Sequence, residues 1–137
     1  MKVLIDTHVF IWAYTDPEKL SASTLSLLEN DGVEKLFSAA SAWEIGVKWS
    51  KGRLLLPENP SSLVPRKVAE AGFQHVPITV EDALIVSELP FHHHDPFDRL
   101  LIAQTRRNNA SLLTMDKMLA RYDVEVIALW LEEDGDE

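Results

Sequence analysis

An α/β fold with a mostly parallel sheet is predicted by three observations. Short β-branched or leucine-rich runs alternate with segments of helical pattern along the 137 residues, the signature of βα units. Four carboxylates, Asp6, Glu44, Asp98 and Asp116, each stand where a strand or loop gives way to a helix. The chain is also long enough to bury one core without staples, and no repeat, linker or low-complexity segment divides it.

The elements follow in order. Lys2–Ile5 reads as the first strand and passes directly into a helix through Thr7–Tyr14. A second helix over Ser21–Asn30 stops at Asp31-Gly32, and Lys35–Phe37 forms a short strand. Ser38 or Ser41 opens the next helix, which runs to Lys51 and ends at Gly52. Pro57, Pro60 and Pro65 punctuate a connector leading to a helix near Arg66–Ala71. His75–Ile78 is the third strand. Thr79 caps a helix with Glu81 and Asp82 in its first turn, ending before Pro90. Asp95-Pro96 starts a helix that reaches Asn108, with Asn109 as its stop. Ser111–Leu113 is the fourth strand, Asp116–Tyr122 a short helix and Val124–Leu129 the last strand. Residues 132–137 have the composition of a disordered tail.

Composition narrows the chemistry. With no cysteine, disulfides, thiolate metal sites and a cysteine nucleophile are excluded. The apolar start MKVLIDTHVFIWAY carries Asp6 and His8, which argues against a signal peptide. No run approaches the ~20 apolar residues of a membrane span, so a soluble cytoplasmic protein is expected. The net charge of −9 is the wrong sign for a nucleic-acid coat protein, but five of the negative charges lie in the tail. Basic residues cluster as Lys48, Lys51 and Arg53, as Arg66 and Lys67, and as Arg106 and Arg107.

Helix–strand junctions gather at the carboxyl edge of an open α/β sheet, so acids distant in sequence can share a pocket there. Carboxylate oxygens suit Mg²⁺ and Mn²⁺, which makes metal-dependent phosphodiester chemistry the first hypothesis. Each acid also has a purely structural reading. Asp6 and Asp116 follow buried runs and serve equally as N-caps. Ser41-Ala42-Trp43-Glu44 is a capping-box pattern, unless the helix starts at Ser38 and frees Glu44 for the pocket. In Asp95-Pro96-Phe97-Asp98, Asp95 suits the cap and Pro96 the first helical position, leaving Asp98 for the pocket.

Four stretches carry a family resemblance. Leu4-Ile5-Asp6-Thr7-His8, Ser38-Ala39-Ala40-Ser41-Ala42-Trp43-Glu44-Ile45, the DPFDRLLIAQ run from Asp95 to Gln104, and Leu113-Thr114-Met115-Asp116 resemble, in order, the motifs of PIN-domain ribonucleases. The nearest subgroup is the VapC-type toxins of toxin–antitoxin pairs. The resemblance implies a three-layer α/β/α sandwich with a parallel sheet in the order 3-2-1-4-5. It also implies a PIN-like nuclease domain over residues 1–131, followed by the acidic tail 132–137. The topological switch would then lie between the first and fourth strands, where Asp6 and Asp116 emerge side by side.

By the same resemblance, Asp6, Glu44, Asp98 and Asp116 are the catalytic and metal-binding set of a Mg²⁺-dependent endoribonuclease, with Mn²⁺ an alternative ion. Asp6 and Asp98 are the expected direct ligands. Glu44 and Asp116 would bind a second ion or orient the attacking water. A metal-activated water as nucleophile leaves the 2′-hydroxyl unused, giving a 5′-phosphate and a 3′-hydroxyl. Thr7 and Thr114 are expected to support the ligands by hydrogen bonds. Arg99 is read as a contact to substrate phosphate or an ordinary surface pairing. Lys48, Lys51 and Arg53 are read as an RNA-tracking rim or a solvated helix face. His92-His93-His94 reads as a polar loop, since adjacent histidines do not converge easily on one ion. Trp12, Trp43, Trp49 and Trp130 are mostly assigned to the core, with one of Trp43 and Trp49 exposed. The implied partners are RNA, a second copy of the chain, and an antitoxin entering an apolar groove and the acidic pocket.

Rivals fail on residues. A receiver-like domain needs an Asp ending its third strand and a Lys after its fifth, whereas Val76-Pro77-Ile78-Thr79 stands at the former and no Lys follows residue 117. A dehalogenase-like phosphatase needs D-x-D where this chain has Asp6-Thr7-His8. The remaining alternative is a catalytically silent PIN-fold module that binds RNA or protein.

Overall fold

The computed structural model describes residues 1–93 and 95–128. Strands β1 (Lys2–Ile5), β2 (Glu34–Ser38), β3 (Gln74–Val76), β4 (Ser111–Thr114) and β5 (Glu125–Ala128) form one parallel sheet in the order β3-β2-β1-β4-β5. Parallel neighbours require crossovers, and helices supply them. Helices α1 (Thr7–Thr15) and α2 (Ala22–Glu29) join β1 to β2, and α3 (Ala39–Ser50) and α4 (Pro60–Glu70) join β2 to β3. Helices α5 (Val80–Val86) and α6 (Pro96–Arg107) lead back across the sheet to β4, and a short 3-10 helix, Lys117–Arg121, precedes β5. The strand order reverses between β1 and β4, the expected switch point.

Two-residue periodicity divides the core into two layers. Val3, Ile5, Phe37 and Leu113 face one side and pack with Val9, Phe10, Ile45 and Val68. Leu4, Leu36 and Leu112 face the other and pack with Leu101, Ile102 and Leu119. Each such side chain, fully buried, contributes roughly 1.5–3 kcal/mol. Both faces of the sheet are therefore covered, giving the three-layer sandwich.

Polar contacts fix how α5 meets α6. Thr79 and Asp82 form a reciprocal capping box at the start of α5. Asp82 accepts from Arg107 Nε at 2.5 Å and from Gln104 Nε2 at 3.1 Å. Gln104 also donates to the Pro77 carbonyl and accepts from the Ser38 hydroxyl, which ties α6 to the end of β2.

Several boundaries differ from expectation. Helix α4 starts at Pro60 rather than near Arg66, capped by Asn59, so Pro65 lies inside it. An interior proline costs about 3 kcal/mol, a loss offset here by burial of Pro60, Leu63, Val64 and Val68. Strand β3 ends at Val76, before Pro77, which has no N–H for the ladder. Trp43 and Trp49 are 56% and 38% exposed, so both reach solvent, and Trp12 is only partly buried. His94, Leu129, Trp130 and the acidic tail lie outside the described residues. No helix among the described residues is long and apolar enough to cross a membrane.

Candidate metal-binding active site

The four acids converge at the carboxyl edge of β1 and β4. Asp6 follows β1 directly, and its N–H donates to the Leu113 carbonyl at 2.9 Å, extending the β1–β4 pairing by one residue. Asp6 stands at the N-cap of α1, yet its side chain makes no capping bond there. Instead Oδ2 accepts from Thr114 Oγ1 at 2.6 Å, while Oδ1 is buried with no partner among the described residues. The same Thr114 oxygen accepts from the Asp116 N–H at 3.0 Å, so one hydroxyl at the end of β4 aligns two acids.

Ser38 caps α3, which settles the alternative at Glu44: the acid lies in the second turn and is free of any capping box. It is 1% exposed, with Oε2 2.5 Å from Lys48 Nζ and Oε1 buried without a partner among the described residues. Asp98 sits in the first turn of α6 behind Asp95, whose side chain takes the capping role by accepting from the Phe97 and Asp98 N–H groups. Asp116 caps the 3-10 helix through Oδ1, which accepts from the Met118 N–H at 2.9 Å.

These carboxylates are held where their charge is unwelcome. Burial, followed by the charges of Asp6, Asp95, Glu44 and Asp116, pushes Asp98 up to about 8. Burial also raises Asp6 and outweighs the lowering effects of the Thr114 bond and His8, while Glu44 and Asp116 push the same way as burial. Burial opposes the Lys48 ammonium, but the Glu44 contact and the charges of Asp95 and Asp98 prevail and raise its pKa. Hard oxygen donors, mutual repulsion and two buried lone oxygens fit a hard divalent cation. Among the described residues, facing atoms of His93, Asp98 and Asp116 lie within 4.8 Å of one another, a grouping that could share such an ion.

The sequence matches the PIN domain family model over residues 3–125. The chain belongs to the PIN domain family. Its fold is similar to that of VapBC2 from Rickettsia felis bound to a DNA fragment from their promoter. That match has a TM-score of 0.69 and 15% identity, covering 93% of this chain and 98% of that one. DNA-bound VapBC from Salmonella typhimurium matches at TM-score 0.69 and 12% identity, over 94% of this chain and 98% of that one. VapBC-1 from nontypeable Haemophilus influenzae matches at TM-score 0.63 and 14% identity, over 95% and 99% respectively. At these identities the likeness is one of fold. No curated protein matches the sequence.

Within this PIN domain, several residues take places other than those expected. Arg99 is neither a surface pairing nor turned toward substrate. It is buried and donates to the carbonyls of Val86, Leu89, Pro90 and His93 and to the Tyr122 hydroxyl. Five acceptors from one loop and its neighbours make it the anchor of the segment preceding α6. Thr7 donates to the Ser41 hydroxyl at 2.8 Å, joining α1 to α3 rather than holding a carboxylate. Lys48 belongs to the acid cluster, not to a solvated face, while Lys51 and Arg53 are exposed.

His93 is the residue that sequence reasoning missed. Its Nε2 lies 3.3 Å from Asp98 Oδ2 and 3.1 Å from Asp116 Oδ2, so this member of the histidine run enters the acid cluster. The available signal was its place two residues before Asp95, in the loop that leads into α6. Which histidine turns inward depends on Arg99 and Tyr122 gripping the loop, and no spacing rule supplies that.

Proposed function

We propose that this PIN domain is a Mg²⁺- or Mn²⁺-dependent endoribonuclease and the toxin of a toxin–antitoxin pair acting in the cytoplasm. One observation carries the reading: among the described residues, Asp6 Oδ1 and Glu44 Oε1 are buried without partners in a cluster whose Asp98 is pushed up to about 8. Leaving buried acceptors unpaired is costly, and a bound cation relieves that cost. When bound, the ion supplies a polarised water at neutral pH and neutralises charge on the phosphate.

The chain's own residues do the positioning. Thr114 holds Asp6 and the Asp116 backbone in register, and Lys48 holds one oxygen of Glu44 while the other is buried. Beside Glu44, the exposed Trp43 ring meets Phe97 edge-on at 5.0 Å. This aromatic pair borders two of the acids and offers a surface on which an RNA base stacks. Hydrolysis by water leaves a 5′-phosphate and a 3′-hydroxyl.

An apolar groove of about 430 Å³ between α3 and α4, lined by Ala42, Gly46, Trp49, Pro60, Val64 and Pro65, suits an apolar antitoxin segment. The similar VapBC structures support that partner, and a basic antitoxin side chain would complement the acids. A homodimer is part of the same proposal, tested by light scattering.

The deciding experiment is cleavage of total RNA by purified, partner-free protein with Mg²⁺, Mn²⁺ or EDTA, beside Asp6→Asn. Discrete metal-dependent products lost in the variant are expected. Absence of cleavage by folded wild type with either metal would overturn the reading in favour of a silent binding module.

A further inference from the structure

RNA is a polyanion, and a cluster of carboxylates repels it unless cations stand on the approach. Members of two of the three basic clusters in the sequence are already engaged. Arg66 and Lys67 pair with Glu58 and Glu70, and Arg107 pairs with Asp82. The third cluster is open. Lys51 and Arg53 are exposed, and neither has an ion pair among the described residues. Lys48 gives one contact to Glu44 Oε2 and keeps 32% of its side chain in solvent. An ammonium carries three N–H donors, so it can hold Glu44 and a phosphate together.

Local structure lines these cations up. Glu44 and Lys48 on α3 and Lys51 at its C-cap stand at i, i+4 and i+7, one stripe that starts at the buried acid. Gly52, at φ 70°, then reverses the chain. The Gly52 N–H returns to the Trp49 carbonyl at 3.0 Å and the Arg53 N–H to the Lys48 carbonyl at 2.9 Å. The Arg53 backbone is thereby held against the last turn of α3 instead of trailing into the connector. At the other end of the stripe, Trp43 immediately precedes Glu44 and is 56% exposed. Phe97 meets its ring at 78°, which fixes the indole while leaving a face open to solvent.

We propose that unpaired RNA follows this stripe: a base stacks on Trp43, Lys48 takes the backbone phosphate nearest the acids, and Lys51 and Arg53 take phosphates beyond it. The proposal rests on the ribonuclease reading for its choice of polyanion. A duplex keeps its bases stacked inside and offers none to the indole, so the path selects single strands.

The test is fluorescence anisotropy of labelled oligouridylate in EDTA, which separates binding from cleavage, over a series of KCl concentrations. A thermal melt confirms that each variant folds. Each cation removed, in Lys51→Gln and in Arg53→Gln, should lower the slope of log affinity against log salt by about 0.7. Arg66→Gln, which removes an exposed arginine already paired to Glu58, should leave the slope unchanged. Trp43→Ala should weaken binding roughly 5- to 100-fold without changing the slope, and Trp43→Phe should recover part of the loss. The same strand annealed to oligoadenylate should bind more weakly. Wild-type slopes for Lys51→Gln and Arg53→Gln, an equal loss for Arg66→Gln, or wild-type affinity for Trp43→Ala overturns the path and leaves metal-dependent cleavage standing. Binding effects as expected, with RNA cleavage absent under every metal, keep the path and remove the ribonuclease reading.

Discussion

Asp82 and Asp98 occupy the same place in two successive helices, the third residue of the first turn behind a capping side chain, and both are buried. Burial pushes both upward in pKa. At Asp82 the hydrogen bond from Arg107, the Thr79 N–H and Gln104 overcome it, and the carboxylate sits below its usual range. At Asp98 the nearby charges are acids, and they add to burial. Equal local positions thus serve opposite ends. Asp82 closes a satisfied network that fastens α5 to α6, whereas Asp98 belongs to a cluster in which acids surround it and raise it further.

The comparison can be broken at either end. The largest expected effect is on activity: on the proposed function, Asp6→Asn should lower RNA cleavage by at least about 100-fold, because it removes a charge from the acid cluster while keeping an acceptor for Thr114. Gel-based rates on a defined RNA check this, and a variant within a factor of a few of wild type would remove Asp6 from the site.

At the other end, Asp82→Ala should destabilise the fold by about 3 kcal/mol, since it strands Arg107 and Gln104 without their acceptor. Urea unfolding measures that loss. Cleavage by the fraction that remains folded should be unchanged, and a stability equal to wild type would show that the network carries no net weight.

A smaller effect separates the two acids by pH. In metal-free protein the native state keeps a proton on Asp98 that the unfolded chain releases from 3.8 upward. Its contribution to stability is complete below that value and is lost as pH rises through about 8. Asp82 has the opposite sign, with stability present above the unfolded value and lost as pH falls toward its lowered pKa. In EDTA, Asp98→Asn should therefore flatten the decline in melting temperature between pH 5 and 8, and at the upper end should gain about 2 kcal/mol. A variant whose melting curve tracks wild type across that range would argue against the strained cluster.

The smallest effect concerns the groove. A Cβ at Gly46 would meet nothing within 4 Å, so Gly46→Leu has room and should raise stability by about 0.5–1 kcal/mol through helix propensity. The same side chain should fill the groove and weaken capture of an apolar helical partner with cleavage retained, read by calorimetry alongside the melt.

Much of the fold was legible because its signals are local. Alternation in Val3-Leu4-Ile5 and Leu112-Leu113 marks two-sided burial, Thr79 with Asp82 marks a helix start, and Asp95-Pro96 marks another. The start of α4 was missed because an interior proline is tolerated only when tertiary burial outweighs it. The exposure of both Trp43 and Trp49 was likewise invisible, since periodicity places a face without saying what covers it.

The sequence by itself determined the alternation of strands and helices, the acids Asp6, Asp98 and Asp116 at junctions and the family that its motifs resemble. Each of these depends on residues within a few positions of one another. Tertiary structure decided the rest: Thr114 aligning Asp6 with Asp116 across a strand pair, Arg99 buried as a loop anchor, and His93 turned into the cluster. Those outcomes depend on contacts between segments up to a hundred or so residues apart, such as Thr114 to Asp6. Local pattern carries no information about them until the sheet brings the segments together.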